Sequence, residues 1–149
     1  MSLVWKCPFF TDLTVNELYD LLRLRSEVFV VEQNCIFLDA DNIDKLCHHL
    51  LGFNEHKELV ASVRIVPPGI TYEYMSIGRV VSSPKYRGKG FGKQLMEKAI
   101  DTCEQLYGKK AIKIGAQCYL QRFYESFGFK QCGEVYMEDG IPHMPMIKN

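Results

Sequence analysis

Apolar positions along this chain switch between helical and alternating spacing, and the switches mark out its elements. Leu18, Leu21, Leu22, Val28 and Phe29 share one helical face, which carries a helix to about Gln33. Thr14-Val15-Asn16-Glu17 opens it as a capping box, with Leu13 and Leu18 placed to staple across it. Phe91, Leu95, Met96, Ala99, Ile100, Cys103 and Leu106 repeat at helical spacing, stopped by Gly108. A short third helix is expected over residues 119–127, closed by Gly128. Residues 4–10, 48–53, 59–66, 73–82 and 111–116 read as strands, and Pro67-Pro68-Gly69 stops the third of them. Residues 131–137 and 143–147 read as a terminal hairpin around Asp139-Gly140. This order predicts an α+β fold: a mixed sheet of about seven strands flanked by helices, in a single domain over residues 1–149.

Composition narrows the function. The chain has 149 residues, 47% hydrophobic and 24% charged, enough for one real core. Its formal net charge is zero and no basic stripe is visible, so no nucleic-acid partner is expected. No apolar run approaches the roughly 20 residues that span a membrane, and no basic-then-apolar leader is present, so no membrane role is expected. Cys7, Cys35, Cys47, Cys103, Cys118 and Cys132 form no CxxC pair. Reduced thiols and a cytoplasmic setting are the expectation.

The chemistry concentrates in Arg87-Gly88-Lys89-Gly90-Phe91-Gly92, between a strand and a helix start. Unpaired N–H groups and the helix dipole make such a turn a phosphate cradle, and Arg87, Lys89 and Lys93 add charge. A Walker A loop is excluded, because Gly92-Lys93 is followed by Gln94. A dinucleotide fingerprint is excluded, because Lys93 stands where its third glycine belongs. The positions Arg87, Gly90 and Gly92 do fit Gln/Arg-x-x-Gly-x-Gly/Ala. That pattern resembles the acetyl-CoA pyrophosphate loop of the GNAT superfamily of N-acetyltransferases. Downstream, Phe123-Tyr124-Glu125-Ser126-Phe127-Gly128-Phe129 resembles that family's second signature. Residues 25–34 and 134–146 look like its ElaA-type branch.

The resemblance implies a GNAT-like fold and transfer of acetyl from acetyl-CoA to a primary amine, in a ternary complex. Gly88, Lys89, Gly90, Phe91, Gly92 and Lys93 would then cradle the pyrophosphate beside Arg87. Main-chain groups of Val80 and Val81 would pair with pantetheine and face the oxyanion, Gln117 would reach the cofactor, and Phe123 would pack on it. Tyr124 would protonate the leaving thiolate; by spacing alone it is a core aromatic with Leu120 and Phe127. The general base stays open among His143, Glu134, Glu73 and water, since Ser76 stands where some members carry a glutamate. A homodimer and the identity of the amine are also left open. A non-catalytic acyl-CoA-binding module is the alternative.

The remaining polar residues divide by their chemistry. Arg79, in a β-branched strand, needs either an anionic acceptor or a structural partner. Asp39, Asp41 and Asp44 read as a solvated acidic turn or, as the lesser reading, a cation-attracting rim for an amine substrate, since Ile43 and Asp44 break a calcium loop. His48 and His49 point to opposite faces of a strand, so no metal site is expected. No cysteine has an obvious histidine partner in sequence, which disfavours a Cys-acyl intermediate.

Overall fold

The computed structural model describes residues 2–149. In chain order the elements are β1 (Val4–Lys6), α1 (Val15–Arg25), β2 (His48–Phe53), β3 (Leu59–Val66), β4 (Ser76–Ser82), α2 (Phe91–Tyr107), β5 (Ile112–Gln117), α3 (Gln121–Glu125), β6 (Lys130–Gln131), β7 (Tyr136–Glu138) and β8 (Ile141–Lys148). They form the expected α+β fold. The first four strands make one antiparallel sheet in sequence order, and the second sheet runs β5-β8-β6, with β7 also paired to β8. The sheets meet at a parallel bridge, Met75 with Ile112, where the Lys113 N–H donates to the Met75 carbonyl at 3.1 Å. Beyond that bridge no ladder joins β4 to β5. The expected mixed sheet is therefore split into a V.

Both faces of the first sheet are covered. Leu95, Met96, Ala99 and Cys103 of α2 are fully buried in the main core with Val63 and Ile65 of β3. Truncating a side chain such as Leu95 to alanine there costs about 2–5 kcal/mol. Leu24, Val28 and Val81 make a second cluster, while Val80 packs on the main core. Adjacent strand residues point to opposite faces, so α1 lies across the sheet from α2.

α1 starts with the capping box: Glu17 N–H donates to Thr14 Oγ1 at 3.1 Å, and Thr14 N–H to Glu17 Oε1 at 3.0 Å. Helical winding continues near the expected end, but residues Ser26–Glu32 are a π-helix. Gln33 N–H bonds the Val28 carbonyl at 3.1 Å, and Cys35 N–H the Val30 carbonyl at 3.0 Å. Such wide turns recur at functional sites.

Four expected boundaries move. β1 stops at Lys6, and Pro8, which has no N–H, interrupts the run. β4 starts at Ser76, leaving Glu73 outside the strand. The short third helix shrinks to Gln121–Glu125, after a 3-10 turn at Cys118–Leu120. The hairpin strand over 131–137 is broken into β6 and β7. Its partner β8 carries Pro145, which offers only a carbonyl, taken by the Cys132 N–H at 2.9 Å. That break makes eight strands rather than about seven.

Candidate active site

The V between β4 and β5 is a cleft of about 730 Å³. Past Met75, the edge of β4 facing β5 has no strand partner among the described residues, so its backbone groups open onto the cleft. The wall includes Val80, Val81, Arg87, Gly92, Gln117, Phe123 and Tyr124. Among the candidate bases His143 lines it, whereas Glu73 and Glu134 do not.

On one side the cleft ends at the glycine-rich loop. Gly88 and Gly90 adopt φ of +83° and +76°, a region that side chains with a Cβ rarely enter. Gly90 is the N-cap of α2, and a Cβ built there meets nothing within 4 Å. The first turn of α2 thus faces open space, with the amides of Phe91, Gly92 and Lys93 lacking intrahelical acceptors. The Phe91 side chain turns into the core, so only its backbone faces outward. Arg87 is already engaged: its guanidinium takes both Glu32 oxygens, at 2.6 and 2.7 Å. Glu32 comes from the π-helix. Beside it, Gln33 and Gln117 exchange side-chain hydrogen bonds of 3.2 and 3.4 Å across the cleft.

β4 carries a bulge. Ser62 pairs with Val81 and Arg64 with Gly78, so Arg79 and Val80 together oppose Val63. Arg79 sits at φ +50°, strained for a non-glycine residue. Its Nε donates to Asp39 Oδ1 at 2.7 Å and its Nη2 to the Asp39 carbonyl at 3.0 Å. The acidic turn read as solvated is instead the core of an ion network. Arg25, 1% exposed, gives Nε to Asp39 Oδ2 at 2.8 Å and Nη1 to Asp44 Oδ1 at 2.8 Å. Arg64 clasps both Asp41 oxygens at 2.8 Å. Three arginines hold three aspartates, because the buried guanidinium groups of Arg25 and Arg64 and the half-buried one of Arg79 require partners. Burial pushes the Asp41 carboxyl up, but Arg64 and the Ile43 amide outweigh it and hold it down at about 2.

The sequence reading left Arg79 open between acceptor binding and a structural pair, and its partners here are structural. His49 lies under the same network, its Nε2–H donating to the Asp44 carbonyl at 2.8 Å. His48 stands on the other face of β2, edge-on to Phe9. Among the described residues, no three His, Cys, Asp or Glu gather as metal ligands.

The other side of the cleft belongs to the terminal hairpin. His143 pairs in register with Gln117 and Tyr136. Its ring stacks on Tyr136 at 5.7 Å, and Nδ1 donates to the Ile141 carbonyl at 2.8 Å. That bond leaves Nε2 as the basic nitrogen, 3.4 Å from Glu138 Oε2. Tyr72 and Tyr136 bring their hydroxyls against Gly115, where a Cβ would lie 2.5 Å from Tyr136 Oη. Only glycine on β5 leaves that space. Burial pushes the Tyr136 phenol up to about 12. Tyr124 is both things the sequence offered: a core residue, 5% exposed, and part of the cleft wall. Burial raises its phenol above the ordinary value, so it stays protonated at neutral pH. Cys35 reaches the cleft, but its thiol donates to the Asp139 carbonyl at 3.2 Å rather than to a histidine.

The sequence reading missed Glu32, Gln33, Tyr72, Tyr136 and Gly115. The unbroken apolar run Val28-Phe29-Val30-Val31 was a signal that α1 departs from helical spacing at its end. No local signal marks Tyr72, which reaches the cleft from a loop.

An open sheet edge ending at the open N-terminus of a long helix suits a long ligand that carries a phosphate group. The profile of the acetyltransferase (GNAT) domain matches residues 40–149, and the chain belongs to this family. It is similar to Protein ElaA of Escherichia coli K12, 44% identical over 146 residues, spanning 97% of this chain and 95% of ElaA. The crystal structure of E. coli ElaA superposes with a TM-score of 0.90, covering 99% of each chain at 44% identity. That of an acyl-CoA N-acyltransferase from Pseudomonas aeruginosa gives 0.91 at 42% identity, covering 98% of this chain and 99% of the other.

Proposed function

We propose that this protein transfers an acetyl group from acetyl-CoA to a primary amine by direct attack in a ternary complex. The observation that carries this reading is the join of the unpaired β4 edge to the open N-terminus of α2, in a chain of the acetyltransferase family. The N–H groups from Gly88 to Lys93 take the pyrophosphate, and Arg87 turns to it from Glu32. The pantetheine amides pair with the free edge at Val80 and Val81, against Phe123, with Gln117 within reach from the end of β5. The bulge at Arg79 aims backbone N–H groups at the developing oxyanion. Fixed dipoles in a dry cleft of this kind remove several kcal/mol from a barrier.

Two proton transfers remain. His143 Nε2 takes the proton of the amine, and the imidazolium so formed faces Glu138 at 3.4 Å. Tyr124, kept protonated by burial, gives its proton to the CoA thiolate as the C–S bond breaks, and regains one from solvent as His143 releases the amine's proton there. The cleft geometry argues against a covalent route: Cys35 lines the cleft, and its thiol donates to the Asp139 carbonyl rather than to a base.

The test is the initial-rate pattern of CoA thiol release over a panel of primary amines. Intersecting lines with both substrates varied are expected. Parallel lines would point to an acyl-enzyme. Acetyl-CoA binding with no amine-dependent thiol release would reduce the protein to an acyl-CoA-binding module.

A further inference from the structure

The hairpin side of the cleft has an unusual charge inventory. Three arginines line the cleft, and each already faces carboxylates: Arg64 the pair Asp41 and Asp44, Arg79 the pair Asp39 and Asp41, and Arg87 Glu32. Among the described residues, a carboxylate or phosphate on an acceptor meets no cleft arginine that lacks a carboxylate partner, and Arg64 Nε, which has no hydrogen-bond partner, is buried. The acidic groups differ. Among the described residues, Glu138 and Asp139 line the hairpin side with no arginine or lysine in an ion pair with them, and His143 is the basic neighbour of Glu138. Entry of a CoA pyrophosphate at Arg87 would also release Glu32 on the other side.

This side is also roofed. The Cys35 thiol meets the Asp139 carbonyl at 3.2 Å, so the loop after the π-helix touches the hairpin turn. The Gln33–Gln117 pair closes the adjoining stretch. These two contacts narrow the cleft beside Glu138 to a passage that a thin flexible chain fits. The wall beneath is aromatic, with the Tyr72 and Tyr136 hydroxyls converging on Gly115.

From this we infer that the acceptor is a short, unbranched diamine: one amine attacks the thioester, and the second, as an ammonium, pairs with Glu138. This deepens the proposed acetyl transfer and rests on it for the reacting end only. Glu138 is a specificity-determining residue, because its carboxylate rewards a distal cation and repels a distal anion. Since its side chain is half open to solvent, the preference should be of the size of a partly exposed ion pair, about fivefold.

The test is calorimetric titration of the CoA-saturated protein with three matched amines: 1,5-diaminopentane, 5-amino-1-pentanol and 5-aminopentanoate. The expected order of affinity is diamine, then amino alcohol about fivefold weaker, then amino acid weakest. Glu138→Gln should bring the diamine down to the amino alcohol, and Glu138→Lys should favour 5-aminopentanoate. CoA Kd and melting temperature, measured on each variant, report that the fold is intact. Equal or tighter binding of 5-aminopentanoate to the wild type would overturn the inference. So would an order unmoved by Glu138→Lys, or no binding by any of the three. CoA saturation retained in those cases would leave the donor half of the proposed function standing; failure to bind CoA would overturn both.

Discussion

Asp39 divides its carboxylate between Arg25 and Arg79, one oxygen to each, at 2.8 and 2.7 Å. It thereby ties α1 to the bulge of β4, the strand whose free edge lines the cleft. Arg25 shares its other nitrogens with Asp44, which in turn meets Arg64 of β3. The network is a clamp on backbone geometry, built from buried charges that are costly when one partner is lost.

Removing one partner should therefore show. Breaking a buried pair costs about 3–5 kcal/mol. Arg25→Met should fall at the lower end, because Asp39 and Asp44 keep Arg79 and Arg64. The exposed Lys6–Glu17 pair gives the contrast: Lys6→Ala should change stability by about 0–1 kcal/mol. Urea unfolding of the two variants, side by side, measures both.

Acid should act through the same groups. Asp41 titrates at about 2 in the folded protein, against 3.8 for a free side chain. A depressed folded value means that its stabilisation is complete above the unfolded value and is lost as pH falls. The urea midpoint should drop between pH of about 4 and 2, and Asp41→Asn, which cannot titrate, should flatten that segment. An unchanged slope in Asp41→Asn would place the acid sensitivity elsewhere.

Gly90→Val tests the cradle. Valine is strained at φ +76°, and its side chain enters the open space in front of α2. At a hundredfold excess over Kd, CoA should stabilise the wild type by about 2.7 kcal/mol. For a domain of this size that is roughly 5–10 °C in melting temperature. The ligand-induced shift should vanish in Gly90→Val, whatever happens to its baseline stability. A shift of wild-type size would place the pyrophosphate elsewhere.

Tyr124→Phe keeps the ring and deletes the hydroxyl. Single-turnover transfer should slow by about 100-fold, while the Kd for CoA stays within error. Because burial raises the Tyr124 phenol, wild-type activity should show no loss from its ionisation up to the ordinary phenol value of about 10. A Tyr124→Phe enzyme that transfers at the wild-type rate would leave this side chain a packing role alone.

The order of elements was readable because helical and strand periods are local. The phosphate loop was readable because its glycines answer a local backbone demand. What sequence spacing did not carry is the meeting of distant segments. The aspartates of the acidic turn look solvated until α1, β3 and β4 bring Arg25, Arg64 and Arg79 onto them. Arg79 itself breaks a local rule, a charged residue at positive φ within a strand, and only the tertiary network accounts for it. Tyr72, Tyr136 and Gly115 converge from a loop and two strands, and nothing in their neighbours announces it. Pro145 was visible in the sequence, yet its effect falls on the partner strand, where it splits β6 from β7.

The most direct measurement follows the acyl group itself. Acetyl-CoA labelled in the acetyl carbons is incubated with the protein and the amine panel, and products are read by mass spectrometry. The account predicts label on an amine nitrogen, one equivalent of free CoA thiol per label, and no label retained on the protein. Label that stays on CoA while CoA is shown to occupy the cleft would contradict it.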